Sequence, residues 1–149
     1  MQGDEYFMRM ALSEAESALE LGEVPVGAVI TMEGRVLAKT HNSPILMNDP
    51  TAHAEMLAIR EAADRTENYR LNGATLYVTI EPCPMCAGAI VHARIARLVF
   101  GATDLKGGAL SLYDMLRDRK LNHTVEITGG VLQEKCGEIL SRFFRKKRI

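Results

Sequence analysis

The stretch TLYVTIEPCPMCAGAIVHARIARLVF, Thr75 to Phe100, carries a strand, a helix and a second strand in succession. Thr75 to Ile80 is a short run of β-branched and aromatic residues, which reads as a buried strand. Pro84 follows Cys83 at the place where a first helical turn tolerates proline, and small and apolar residues carry that helix to about Ala93. Arg97 to Phe100 then reads as a second strand. Upstream, Val26 to Thr31 and Val36 to Thr40 are β-prone segments around the turn signal Glu33-Gly34, an antiparallel hairpin. Before the hairpin, Phe7, Met10, Ala11, Leu12, Ala15, Ala18 and Leu19 fall mainly at three- and four-residue steps. They define a helix capped by Asp4 and ended by Gly22. A loop follows the hairpin, and Asp49-Pro50 starts a helix that Ala52 to Ala63 continues. Ser111 to Arg117 and Gln133 to Lys147 read as helices and Val125 to Thr128 as a short strand. Helices alternating with strands after an opening hairpin imply an α/β fold of three layers, α/β/α, with a mixed sheet of about five strands covered on both faces.

The chain has 149 residues, 47% of them hydrophobic, which suits a single domain, residues 1–149, with one sizeable core. Its 18 basic and 19 acidic residues leave no bulk field drawing it to nucleic acid or a membrane, so any electrostatic footprint is local. The longest apolar runs, Val24 to Ile30 and Ala87 to Val91, fall far short of the roughly 20 residues of a membrane span. Met1 to Glu5 carries acidic residues where a secretory signal carries basic ones, and a cytoplasmic location is expected. Of three cysteines, two form a Cys-x-x-Cys pair, which in a reducing compartment points to metal or redox chemistry before a disulfide framework.

Two segments carry the chemistry: Thr51-Ala52-His53-Ala54-Glu55 and Glu81-Pro82-Cys83-Pro84-Met85-Cys86. Each begins a predicted helix, where free N–H groups and the positive end of the helix dipole favour thiolate over thiol. The three-residue spacing turns the sulfurs of Cys83 and Cys86 to one side. Zinc accepts two thiolates and one imidazole, here His53, and a three-ligand set leaves a fourth position for water whose pKa falls to about 7. Glu55, two residues from His53, points elsewhere on a regular helix. It is therefore read as a proton carrier beside the metal. The alternatives are a structural zinc site closed by Glu55 or Cys136, and a redox Cys-x-x-Cys pair that leaves His53 and Glu55 without a role. Structural sites usually close with Cys or His from a nearby motif. H-x-E followed by P-C-x-x-C is the established signature of zinc nucleobase deaminases.

At these residues the sequence resembles the cytidine deaminase-like superfamily and, within it, the bacterial tRNA-specific adenosine deaminases. The resemblance extends over almost the whole chain through Glu23 to Ala28, His41-Asn42, Asp49-Pro50, Thr75 to Thr79, Glu81 to Ala89, Val99 to Ala102, Asp104, Lys106, Asn122-His123 and Phe143-Phe144-Arg145. It implies hydrolytic conversion of adenosine to inosine at the wobble position of a tRNA anticodon, with one zinc ion per subunit. It further implies that Asn42 hydrogen-bonds the base and that the backbone at Ala54 and Cys83 lies close to the attacked carbon. Asp104 and Lys106 match a loop near the flanking RNA, and the family implies a homodimer holding the anticodon stem-loop.

Arg142 to Arg148 combines five cations with Phe143 and Phe144. It reads either as an RNA grip, with Phe144 and Arg145 contacting substrate, or as a helix end with the two rings partly in the core. His41, His92 and His123 lack motif partners and read as ordinary polar or packing residues. Cys136 reads as a small buried hydrophobe, and Met8, Met10, Met56, Met85 and Met115 as core filler. A deaminase of free guanine or cytosine, and a non-catalytic zinc-stabilised RNA-binding module, are the rival functions.

Overall fold

The computed structural model describes residues 2–147. Helix α1 (Asp4–Glu20) buries Phe7, Met8, Ala11, Ala15 and Ala18, the stripe that its periodicity predicts. Gly22, at φ +80°, ends it: the N–H groups of Gly22 and Glu23 donate to the carbonyls of Leu19 and Ala18, the left-handed closure that glycine permits. Asp4, expected as the cap, is instead the first helical residue, and Gly3 occupies the cap position with no side-chain bond. The Asp4 carboxylate accepts two 2.7 Å hydrogen bonds from the Arg97 guanidinium and one of 3.1 Å from the Tyr77 hydroxyl. A bidentate charged partner outweighs a cap bond to an exposed N–H.

Strands β1 (Gly27–Met32) and β2 (Arg35–His41) form the hairpin. Glu33 and Gly34 make its two-residue turn with φ of 53° and 77°, the conformation that matches strand twist. Strands β3 (Thr75–Ile80), β4 (Arg97–Ala102) and β5 (Glu126–Thr128) complete a mixed sheet of order β2-β1-β3-β4-β5. Strand β1 is antiparallel to β2 and β3, while β3, β4 and β5 run parallel.

The stretch read as a loop contains a short helix, α2 (Pro44–Met47). The helix expected from Pro50 is α3 (Ala54–Thr66), which begins at Ala54. The Asp49 carboxylate accepts the N–H and hydroxyl of Thr51 at 2.8 and 2.7 Å, and this side-chain turn holds Pro50 to His53 out of the helix. Helix α4 (Pro84–His92) follows β3. Helix α5 (Ala109–Tyr113) replaces the longer helix predicted over Ser111 to Arg117, and α6 (Gln133–Lys147) has the predicted bounds.

Strand alternation sorts the core into two layers. Ala28, Ile30, Leu76, Val78, Leu98 and Phe100 pack with Ala54, Ala58 and Ala62 of α3 and with Ala87 and Ile90 of α4. Val29, Tyr77 and Val99 pack on the other face with Phe7, Met8 and Ala11 of α1 and Cys136 of α6. The three layers are therefore α3/α4, sheet, and α1/α6. Helix α1 approaches β1 so closely that a Cβ on Gly27 would collide with the Ala11 carbonyl oxygen. Met85 is 36% exposed on α4, a correction to its reading as core filler, because its side chain points away from the sheet. Among the described residues no helix is long and apolar enough to cross a membrane.

Candidate active site

Helices α3 and α4 present their N-termini to each other at the end of β3. His53 occupies the cap position of α3 in an extended conformation, Cys83 occupies that of α4, and Cys86 lies in the first turn of α4 behind Pro84. His53 Nδ1 stands 3.6 Å from Cys83 Sγ and 3.6 Å from Cys86 Sγ, and the three donor atoms lie within 4.8 Å of one another. Zinc–sulfur bonds of about 2.3 Å and a zinc–nitrogen bond of about 2.0–2.1 Å at the tetrahedral angle require an N–S edge of about 3.5–3.6 Å. The cluster therefore fits zinc in spacing as well as in donor type.

The electrostatics agree with that fit. The Cys83 thiol is drawn down to about 4, first by its hydrogen bond with Cys86 against the cost of burial, then by His53 and the Cys86 N–H. Cys86 is pushed far upward because it keeps the proton shared with Cys83 and is itself buried. His53 is raised, chiefly by its bond to Cys83. The pair thus favours one thiolate and one thiol, and a divalent cation can replace the remaining proton and stabilise both as thiolates.

Glu55, in the first turn of α3, is only 3% exposed. Burial pushes its carboxyl up to about 7, against the lowering effects of its own backbone N–H and of His53. It stands beside the cluster and not in it. A carboxyl that ionises near neutrality can take and return a proton at physiological pH.

Asn42 is buried, and its Oδ1 accepts the Ala54 N–H at 2.7 Å while the Thr40 hydroxyl donates to the Ala54 carbonyl at 2.7 Å. These bonds lock the turn between His53 and Glu55. With its oxygen engaged, the Asn42 amide offers a cavity ligand a donor from its NH2 group.

A cavity of about 800 Å³ opens over these groups. His53, Glu55 and Cys83 contribute to its surface, as do Val24, Val26, Asn42, Ile80 and Glu81, and Asp104 and Lys106 belong to the segment after β4. Leu140, Ser141, Phe144 and Arg145 of α6 add a further side. The fold thereby brings Asn42, Asp104, Lys106, Phe144 and Arg145 to one cavity with the His/Cys pair and Glu55. Ala54 and Cys86 are fully buried and are not among its lining residues.

The two readings of the C-terminal segment each describe part of it. Phe143 is 8% exposed and Phe144 47%, so one ring joins the core and its neighbour faces the cavity. Arg142 pairs with Glu16 at 2.7 Å and Arg145 with Glu138 at 3.5 Å; Arg148 lies outside the described residues. His41 bonds Glu14, His123 bonds the Ile95 carbonyl, and His92 is exposed. Cys136 is fully buried on the opposite face of the sheet, and burial pushes its thiol up to about 12.

Sequence reasoning gave no role to two buried carboxylates beside the cavity. Glu23 accepts the N–H groups of Ile45 and Leu46 at 3.2 and 2.8 Å and so anchors α2. Burial opposes ionisation of Glu81, but bonds from the Ser111 hydroxyl and from the N–H groups of Asp104, Ser111 and Leu110 outweigh it and hold the carboxyl below its usual range. The available signal was an acidic residue at the end of an otherwise apolar buried strand.

A three-layer α/β/α fold with a His/Cys/Cys cluster and a buried carboxyl at helix N-termini defines a deaminase, and residues 2–148 match the family model described as MafB19-like deaminase. The tRNA-specific adenosine deaminase of Haemophilus influenzae is 54% identical over 147 residues, covering 97% of this chain and 85% of that relative. The Bacillus subtilis tRNA-specific adenosine deaminase is 50% identical over 149 residues, covering 99% and 92%. A structure solved in a study of A-to-I editing by tRNA:A34 deaminases at the wobble position of transfer RNA is similar with a TM-score of 0.87 and 46% identity, covering 90% of this chain and 98% of that one. The chain belongs to the family of tRNA-specific adenosine deaminases.

Proposed function

We propose that this chain, acting as a single deaminase domain, hydrolyses the 6-amino group of adenosine at the wobble position of a tRNA anticodon, yielding inosine and ammonia. The observation that carries this reading is the placement of Glu55, a buried carboxyl beside a His/Cys/Cys cluster at an 800 Å³ cavity, in a chain of this family. A zinc ion held by His53, Cys83 and Cys86 would supply Lewis acidity that makes water a nucleophile near neutral pH. Glu55 accepts one proton of the attacking water and gives it to the ring nitrogen next to the attacked carbon, then takes the second proton from the added oxygen and delivers it to the departing amine. The carbon–nitrogen bond to the amine breaks and the water oxygen remains on the base.

The remaining residues bind and orient. The Asn42 NH2 group donates to an acceptor on the base edge and the Cys83 backbone flanks the reacting carbon, while Ala54 backs this wall with its N–H and carbonyl held by Asn42 and Thr40. Glu55 is buried, so the adenine must leave its stack to reach it. Phe144 offers a half-exposed ring for a neighbouring base, and Asp104, Lys106 and Arg145 contact the flanking nucleotides. The protein acts as a homodimer in the cytoplasm, with the anticodon stem-loop as partner.

The test is parallel incubation of the purified protein with an anticodon stem-loop, free adenosine, guanine and cytosine, measuring inosine and ammonia. Inosine formed only in the stem-loop is the expected result. Ammonia from guanine or cytosine alone would make the chain a free-base deaminase, and no ammonia from any substrate would make it a binding module.

A further inference from the structure

Glu81 is 2% exposed and is the first residue beyond β3. Its Oε1 accepts the Asp104 N–H at 3.0 Å and the Ser111 hydroxyl at 2.6 Å; its Oε2 accepts the N–H groups of Leu110 and Ser111 at 3.0 and 2.7 Å. Helix α5 has Gly108 at its cap position, where no side chain can close the first turn. Glu81 provides that closure from 27 residues upstream, and a Cβ on Gly108 would collide with its carboxylate. A local Ser or Asp at position 108 would cap five residues without burying a charge. The chain instead ties α5 to the strand end that leads into Pro82-Cys83, and the Pro82 carbonyl adds a 2.8 Å bond from the Ala109 N–H.

The tie continues toward the cavity. Asp104, whose N–H bonds Glu81, accepts the N–H groups of Lys106 and Gly107 on its Oδ1 at 3.1 and 3.0 Å. One continuous set of bonds therefore runs from the Cys83 turn through Glu81 to Asp104 and Lys106. We infer that Glu81 is a positioning residue: it fixes segment 104–111 relative to the Cys83 turn and so governs how tightly the RNA flanking the target is held. The inference rests on the reading of Asp104 and Lys106 as RNA contacts.

Glu81→Gln tests it. The amide can keep the bonds to Leu110 N–H, Ser111 N–H and the Ser111 hydroxyl, which can turn to donate or accept; only the Asp104 N–H then meets a second donor. The expected result is a KM for the anticodon stem-loop raised about tenfold, a kcat held within about twofold, unchanged zinc content, and faster amide hydrogen exchange confined to 104–111. An unaltered KM, or a fall in kcat and zinc content with KM unaltered, would overturn the inference. Ser111→Ala removes one of the four bonds and leaves Glu81 in place. It should show the same KM effect at smaller size, and it serves as the kinetic test should Glu81→Gln not fold; an unaltered KM there would equally reject the role. If the unaltered protein leaves the stem-loop unprocessed, the proposed function fails, and amide exchange alone then judges the tie: protection at 104–111 unchanged by Glu81→Gln overturns it.

Discussion

Replacing Glu55 by Gln should abolish turnover and stabilise the metal-free protein at the same time. The side chain is 3% exposed and burial raises its carboxyl from 4.5 to about 7. A carboxyl whose folded pKa lies above its unfolded value favours folding while protonated, and that advantage is lost as pH rises from about 4.5 through about 7. The shift corresponds to at most about 3 kcal/mol above pH 7. Gln has nearly the same shape and no charge. Chemical denaturation of metal-free Glu55→Gln at pH 8 should therefore show up to about 3 kcal/mol more stability than the unaltered protein, shrinking to under about 1 kcal/mol at pH 5. Loss of a proton carrier costs about a hundredfold to ten-thousandfold in rate, read as single-turnover inosine formation in the stem-loop, with zinc content unchanged. A variant within about tenfold of normal turnover would remove Glu55 from proton transfer, and one less stable at pH 8 than the unaltered protein would rule out a costly buried charge there.

Chelation of the metal should remove activity, and zinc added back should restore it; turnover that persists in demonstrably metal-free protein would rule out the zinc assignment. Phe144→Ala should raise KM for the stem-loop about tenfold by removing a stacking surface, with an unchanged melting temperature because the ring is 47% exposed. Arg97→Ala removes the bidentate partner of Asp4 and should cost about 2 kcal/mol near neutral pH. The Arg97 bond, working against burial, holds the Asp4 carboxyl below 3.8; its contribution is complete above that value and disappears as pH falls through the lowered one, so the difference in denaturation midpoint should close in acid. Gly27→Ala should cost about 1–3 kcal/mol in denaturant titration, because the added methyl group meets the Ala11 carbonyl.

Most elements were legible because their signals are local. The turn at Glu33-Gly34 needs only two residues in left-handed conformation, and α6 needs only its apolar spacing and absence of proline. The His53 and Cys83/Cys86 motifs were legible for another reason: few other chemistries use those residue types in that order. The start of α3 was misplaced because Asp49 bonds Thr51 instead of capping a helix, a choice between two nearby donors that composition does not distinguish. Helix α5 was displaced because its cap comes from Glu81, 27 residues before Gly108.

Residue order alone was enough for the α/β/α layering, the hairpin and the two separate motifs, His53 with Glu55 and Cys83 with Cys86, because side-chain alternation, turn residues and the spacing inside each motif act over a few positions; packing then joined the motifs across 30 residues. Only tertiary structure decided that Asp4 pairs with Arg97 across 93 residues, that Phe143 enters the core while Phe144 faces the cavity, and that Glu81 binds the segment beside Asp104. Each of those outcomes depends on which distant donor or apolar surface arrives at the side chain, and that is set by how the layers pack.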